Sequence, residues 1–290
     1  MKLNKIASVL AGAALAVGAA APASAITLTA GDLKITINAF DAGTTGYTGA
    51  GVVCNTVATC DTNATNHAAR SFGSEDTWGI FSVQSISRVS DGGLIFTAGQ
   101  GGQYLTGVFG GISDTRVSVI AGDEENVVTA YGTGGWLNMY YNSANYNSAL
   151  GPTGRDLVDP TKYTGITGGT LALSAVFSPE VSGSATLNGY SYRSQFGDVT
   201  LAGVGQGFLD VTGGSLAAQL NTNSEFDPKG GAHDMFLKVT YAPSAQSAAA
   251  GWTVDATGDV QANALPEPAS IAVFGLGLAG IAGLRRRKSK

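Results

Sequence analysis

The 290-residue chain is poor in the residues from which reaction centres are usually built. It has two cysteines, two histidines, three methionines and three tryptophans, and only 13% of it is charged. Two cysteines exclude a disulfide-dense miniature scaffold and a four-thiolate zinc site. There is no G-x-S-x-G elbow, H-E-x-x-H pair, P-loop or Cys–His arrangement with catalytic context. Long amphipathic helical patterns are missing too. Lys and Arg number 16 against 21 Asp and Glu, so the chain offers no basic face to nucleic acid. These absences predict a protein with no catalytic residues, no metal and no cofactor.

Glycine is abundant instead, with 42 residues spread among short runs of β-branched and aromatic side chains. Apolar and polar residues alternate most clearly in 33–37, 171–177 and 235–241, the period of a strand with one buried face. Strand-like runs cover 26–40, 78–89, 94–98, 104–109, 116–121, 126–131 and 136–141, then 170–178, 185–193, 199–204, 207–211 and 234–241. Glycine-rich turns at 91–93, 99–102, 134–135, 168–169 and 213–214 separate them. The pattern predicts an all-β body over 26–242, built as an antiparallel β-sandwich with Gly-rich turns. Residues 216–220 suit one helical turn, and 142–162 and 221–232 read as long loops. Residues 243–264 are small and polar and read as a flexible tether holding one short strand at Trp252-Thr253-Val254.

Both ends carry targeting patterns. Lys2 and Lys5 precede an apolar stretch, 6–20, and Ala23-Ser24-Ala25 forms a small-residue cleavage site. Residues 1–25 therefore read as a secretory signal peptide cut between Ala25 and Ile26. At the other end, 265–290 holds three blocks in order. Pro266-Glu267-Pro268 is rigid, 271–284 is apolar, and Arg285, Arg286, Arg287, Lys288 and Lys290 form a basic cluster. The uncharged stretch 270–284 makes a helix of about 22 Å, short against a hydrocarbon core of about 30 Å. It reads as a single transmembrane helix with the arginines cytoplasmic and the body outside. Without the signal peptide and the tail the body keeps 9 basic and 20 acidic residues, net −11.

The three-part tail resembles the PEP-CTERM sorting signal, with Leu265 standing where that family often has valine. The resemblance implies recognition by exosortase, an integral-membrane transpeptidase-like enzyme, in a Gram-negative bacterium that makes exopolysaccharide. In such a protein Pro266, Glu267 and Pro268 are the recognised motif and 270–284 rests transiently in the inner membrane. Arg285, Arg286, Arg287 and Lys288 act as the stop-transfer cluster. The implied destination is the cell surface or extracellular matrix after tail removal, with exopolysaccharide, biofilm or floc as the setting.

Few other residues invite a chemical reading. Cys54 and Cys60 in an exported chain suggest a disulfide closing a small loop. His67 is the sole histidine near them, too little for a metal site. His233-Asp234 has the look of a base and its orienting carboxylate, but no nucleophile accompanies it. Asp123-Glu124-Glu125-Asn126, with Asp91 or Asp114 brought near, could be imagined to ligate calcium; an acidic turn is the plainer reading. Trp136, Tyr140 and Tyr146, interleaved with asparagines, are candidates for stacking on sugar rings. The sequence thus predicts an exported, non-catalytic, structural or adhesive protein, with a carbohydrate-binding module and a secreted hydrolase as alternatives.

Overall fold

The computed structural model describes residues 26, 28–43, 53–54, 65–66, 68–70, 74–182 and 187–266. The expected signal peptide, Cys60, His67, Glu267, Pro268 and the basic cluster lie outside these residues, as does the side chain of Cys54. The Cys54–Cys60 disulfide and the 270–284 membrane helix therefore fall outside the description. No helix among the described residues is long and apolar enough to cross a membrane.

In chain order the strands are β1 (Gly31–Asp41), β2 (Val53–Cys54), β3 (Thr65–Asn66), β4 (Thr77–Arg88), β5 (Leu94–Thr97), β6 (Tyr104–Ile120) and β7 (Val127–Asn142). There follow β8 (Thr170–Ser178), β9 (Tyr192–Gly197), β10 (Gly203–Gly213), helix α1 (Ala217–Leu220), β11 (Glu225–Phe226) and β12 (Ala232–His233). The chain ends through β13 (Met235–Ala242), helix α2 (Ala245–Ala250) and β14 (Val254–Ala264).

Pairing runs β6–β4–β1–β14–β13–β10–β8–β7 and closes because β7 also pairs with β6. This corrects the sandwich expected from sequence: the body is a closed eight-stranded barrel. One wall position is shared. β8 fills it where it pairs with Trp136–Tyr141 of β7, and β9 fills the other half against Val127–Gly132. All these pairs are antiparallel; the two-residue β2 runs parallel to β6. A barrel and a sandwich share the same alternation, so strand pattern alone does not separate them.

The alternation of β1 shows how the wall works. Leu33, Ile35, Ile37 and Ala39 are buried, while Lys34, Thr36 and Asn38 between them are exposed or half-buried. The apolar face lines the lumen and the polar face meets solvent, the reverse of a lipid-facing barrel. Burying each such aliphatic side chain is worth roughly 1.5–3 kcal/mol. Inward glycines make room for rings: a Cβ on Gly205 would strike the Tyr192 hydroxyl, and one on Gly107 would strike the Phe81 ring. Gly111 (φ 73°) and Gly135 (φ 103°) hold left-handed backbone inside β6 and β7, where only glycine sits without strain.

The segment expected to be a tether is a wall strand. β14 pairs along its whole length with β1, from Gly31↔Ala264 to Asp41↔Val254, and with β13 on its other side. Its inward positions are Val254, Ala256, Gly258, Val260, Ala262 and Ala264, small enough for the narrow interior. Their smallness, which looked like linker composition, is a packing requirement.

One end of the barrel, the base, is closed by α1, whose Leu220 and preceding Leu216 are buried in the main core with Leu28. The Leu265 amide donates to the Gln219 carbonyl at 2.8 Å, pinning the chain beyond β14 against this helix. A second core lies outside the wall, where 143–169 folds over Phe40, Ile80 and Val108 and adds Tyr163 and Ile166. Trp252 centres it, with ring contacts to Trp78 at 5.5 Å and to Phe40 and Tyr163 at 6.2 Å.

Candidate functional site

Three places in the barrel gather polar chemistry: its open end, the outer face from β1 to β9, and the surroundings of His233. At the open end, β1 delivers Asp41, β6 delivers Asp114, β9 delivers Tyr192 and Ser194, and β13 delivers Tyr241. These side chains line a space of about 60 Å³ with Asp76 and Thr77. It shares Asp41, Thr77, Tyr192 and Tyr241 with an apolar lumen of about 80 Å³ lower down. Asp76 is spent on structure: one oxygen pairs with Arg70 at 3.1 Å and the other accepts the Asp114 amide at 2.9 Å. Oδ1 of Asp41 and Oδ1 of Asp114 are sealed from solvent and have no hydrogen-bond partner among the described residues. Burial pushes the Asp41 carboxyl up to about 8, helped by the Asp114 charge and opposed by the Trp78 amide. Burial likewise lifts Asp114 to about 7, with Asp76 adding to the rise and Arg70 reducing it. Both phenols are raised by burial, Tyr192 and Tyr241 each also facing the two carboxylates.

The outer face is different. Cross-strand register places Thr36, Asp259, Lys238, Gln206, Arg193 and Tyr131 in one row across β1, β14, β13, β10, β9 and β7. Most of this row, with Lys34, Gln195, Thr240 and Thr257, borders a groove of about 570 Å³. Lys34 bridges Asp259 at 3.0 Å. Lys238 instead sits 5.3 Å over the Phe236 ring, and Arg193 forms no ion pair among the described residues.

His233 is held by both ring nitrogens. Nδ1 lies 3.0 Å from Asp210 Oδ1 and Nε2 lies 3.1 Å from Asp227 Oδ2. The Ser178 hydroxyl donates to Asp210 as well. Sequence adjacency suggested Asp234 as the partner of His233. Asp234 instead accepts the amides of Val211, Thr222 and Asn223 at 2.6–2.8 Å and fixes a loop. The serine meets the carboxylate rather than the imidazole, so no hydroxyl stands at a free histidine nitrogen as nucleophilic activation requires.

The other residues singled out in the sequence are scattered. Glu125 accepts from the Thr200 amide and hydroxyl, Asn126 bonds Asp198, Asp91 pairs with Arg88 at 2.8 Å, and Asp114 faces the open end. The calcium grouping is not assembled, and no cluster of three or more metal-type ligands exists among the described residues. Trp136 and Tyr146 are half-buried in the outer core, where Tyr146 lies 5.8 Å from Phe40. Burial pushes the Tyr146 phenol up to about 12. Tyr140 is half-buried, and its phenol is raised by burial and by Asp159. Sequence reasoning missed the Arg155–Glu75 pair, buried at 2.6 Å with the guanidinium 4.2 Å over Trp78. Eighty positions separate the partners, and no local pattern signals such a contact.

No curated protein and no solved structure matches the chain. The protein-sorting motif of the PEP-CTERM family matches residues 264–288, starting at the last residue of β14. The chain carries the sorting tail of an exosortase substrate, joined without a linker to a wall strand of its barrel.

Proposed function

We propose that this is an exosortase-processed protein of a Gram-negative, exopolysaccharide-producing host, with a structural and adhesive rather than catalytic role at the cell surface or in the matrix. The sorting tail supports export and membrane-associated sorting before cleavage. The observation that carries adhesion is the outer groove. Hydroxyl, amide and cationic side chains repeat there at strand spacing on a rigid wall, which is what a polyhydroxylated polymer needs for fixed donors and acceptors. Arg193 and Lys238 give this face cations with no carboxylate partner among the described residues, on a body that is otherwise acidic, favouring a polysaccharide with carboxylate groups.

The test is co-sedimentation of the full chain with the host's extracellular polysaccharide. The double variant Arg193→Ala, Lys238→Ala is expected to lose at least about tenfold in retention, with its thermal melt unchanged, since exposed cations add little to stability. Retention equal to wild type would overturn the groove as the adhesive surface. The alternative platform of Trp136, Tyr140 and Tyr146 is less favoured, because two of its rings are engaged in the outer core.

A further inference from the structure

The open end of the lumen has features that neither sorting nor adhesion uses. Two carboxylates from different strands, Asp41 and Asp114, line one small space, and each has an oxygen that is sealed from solvent and without a hydrogen-bond partner among the described residues. Asp114 is only 7% exposed. A buried acceptor without a donor costs free energy unless a ligand, proton or ion supplies one. Directly below lies an apolar chamber lined by Met139, Leu209, Met235 and Leu237, and sharing four residues with the acidic space. We propose that the acidic end of the lumen binds a short primary alkylammonium ion. The ammonium lodges between the Asp41 and Asp114 carboxylates and the alkyl chain enters the apolar lumen.

Each part of that ligand answers an observation. An ammonium group has three donors and meets two acceptor-only carboxylates, while Ser194 and the tyrosine hydroxyls complete the space. A divalent cation fits less well, because Asp76 is committed to Arg70 and the described residues contain no set of three converging ligands. The lumen of about 80 Å³ is about half the ~150 Å³ that admits benzene, which suits a chain of about three or four carbons. Its far end is closed by Leu216 and Leu220, so the ligand has one charged end only. The charged or titratable groups facing the site are Asp41, Asp76, Asp114, Arg70, Tyr192 and Tyr241. Below the range in which Asp41 and Asp114 ionise, the pair holds protons that the ammonium must displace.

The site is at the far end of the barrel from the tail and separate from the groove, so the proposal stands or falls independently of adhesion. The test is calorimetric titration of the full chain with n-butylammonium. Binding is expected at about pH 8.5 and at least about tenfold weaker at about pH 5. Titration at about pH 7 in two buffers of different ionisation enthalpy should show about one to one and a half protons released per amine. Asp41→Asn and Asp114→Asn should each weaken binding at least about tenfold, while n-butanol should not bind measurably. The proposal is overturned if butanol matches butylammonium, if no proton is released, or if calcium binds and the amine does not. Absence of any heat or thermal shift at millimolar amine also overturns it. The pH and proton measurements use wild-type protein, so a variant that fails to fold does not spare the proposal.

Discussion

Gly31 pairs with Ala264 across the β1–β14 ladder, so the described chain begins and ends at the same end of the barrel. Asp41 and Val254 close the same ladder about ten residues away, roughly 33 Å at the rise of an extended strand. The start of β1 and the end of β14 therefore lie at the base that α1 closes, and the acidic opening lies at the other end.

The boundary between β14 and the sorting motif makes a sharp prediction. Deleting 267–290 removes no wall residue, and the melting temperature should stay within about 3 °C of the full chain. Deleting 254–264 opens the barrel between β1 and β13 and should abolish cooperative unfolding. Circular dichroism melts of the two deletions distinguish a wall strand from a tether; a cooperative melt for the second would refute the assignment.

The acid pair predicts a pH dependence of defined sign. Asp41 and Asp114 are raised in the folded protein to about 8 and about 7, so the folded state binds more protons than the unfolded one between about pH 4 and about pH 8. The stability they contribute is fullest below their unfolded values, near 4, and is lost as pH rises through about 7 to 8. Asp41→Asn removes the Asp41 share of that loss. Its urea midpoint should exceed wild type at about pH 8 and approach it toward about pH 5. Carboxylates held low, such as Glu125 through its Thr200 bonds, act in the opposite direction in acid and are common to both proteins. A variant midpoint below wild type at the higher pH would contradict the sign.

The Arg155–Glu75 pair should matter far more than any surface bridge. Glu75→Ala leaves a buried guanidinium beside Trp78 without its carboxylate, a change of about 3–5 kcal/mol. Lys34→Ala, at a bridge whose side chains are 50% and 43% exposed, should cost about 1 kcal/mol or less. Chemical denaturation of both variants tests the contrast, and equal losses would show that the buried pair is not anchoring the 143–169 cover.

Trp136→Ala is expected to act through packing. Its indole belongs to the outer core, so truncation should lower stability by about 2 kcal/mol and leave polysaccharide retention at a temperature well below the melt unchanged. Loss of retention at unchanged stability would restore the aromatic-platform reading.

What the sequence determined by itself was whatever depends on local order along the chain. The three blocks of the tail are read by neighbours in sequence, and their match to a sorting motif needed no fold. Period-two alternation likewise placed β8 and β13, and the end of β1, within a residue, because each of these strands has one face in the lumen. Glycine blurred the rest. β6 and β7 each read as two strands, 104–109 with 116–121 and 126–131 with 136–141, the latter split by the turn signal Gly134-Gly135, yet one continuous ladder joins β6 and β7 across both breaks. β14 read as a tether because alanine and glycine score as linker, although a narrow barrel needs them inside. Only the tertiary structure decided that the sheet closes, that Asp210 and Asp227 rather than Asp234 hold His233, and that Asp41 meets Asp114. Those outcomes depend on register between strands far apart in sequence, and register is set by the packing of all eight wall positions together, not by any one segment.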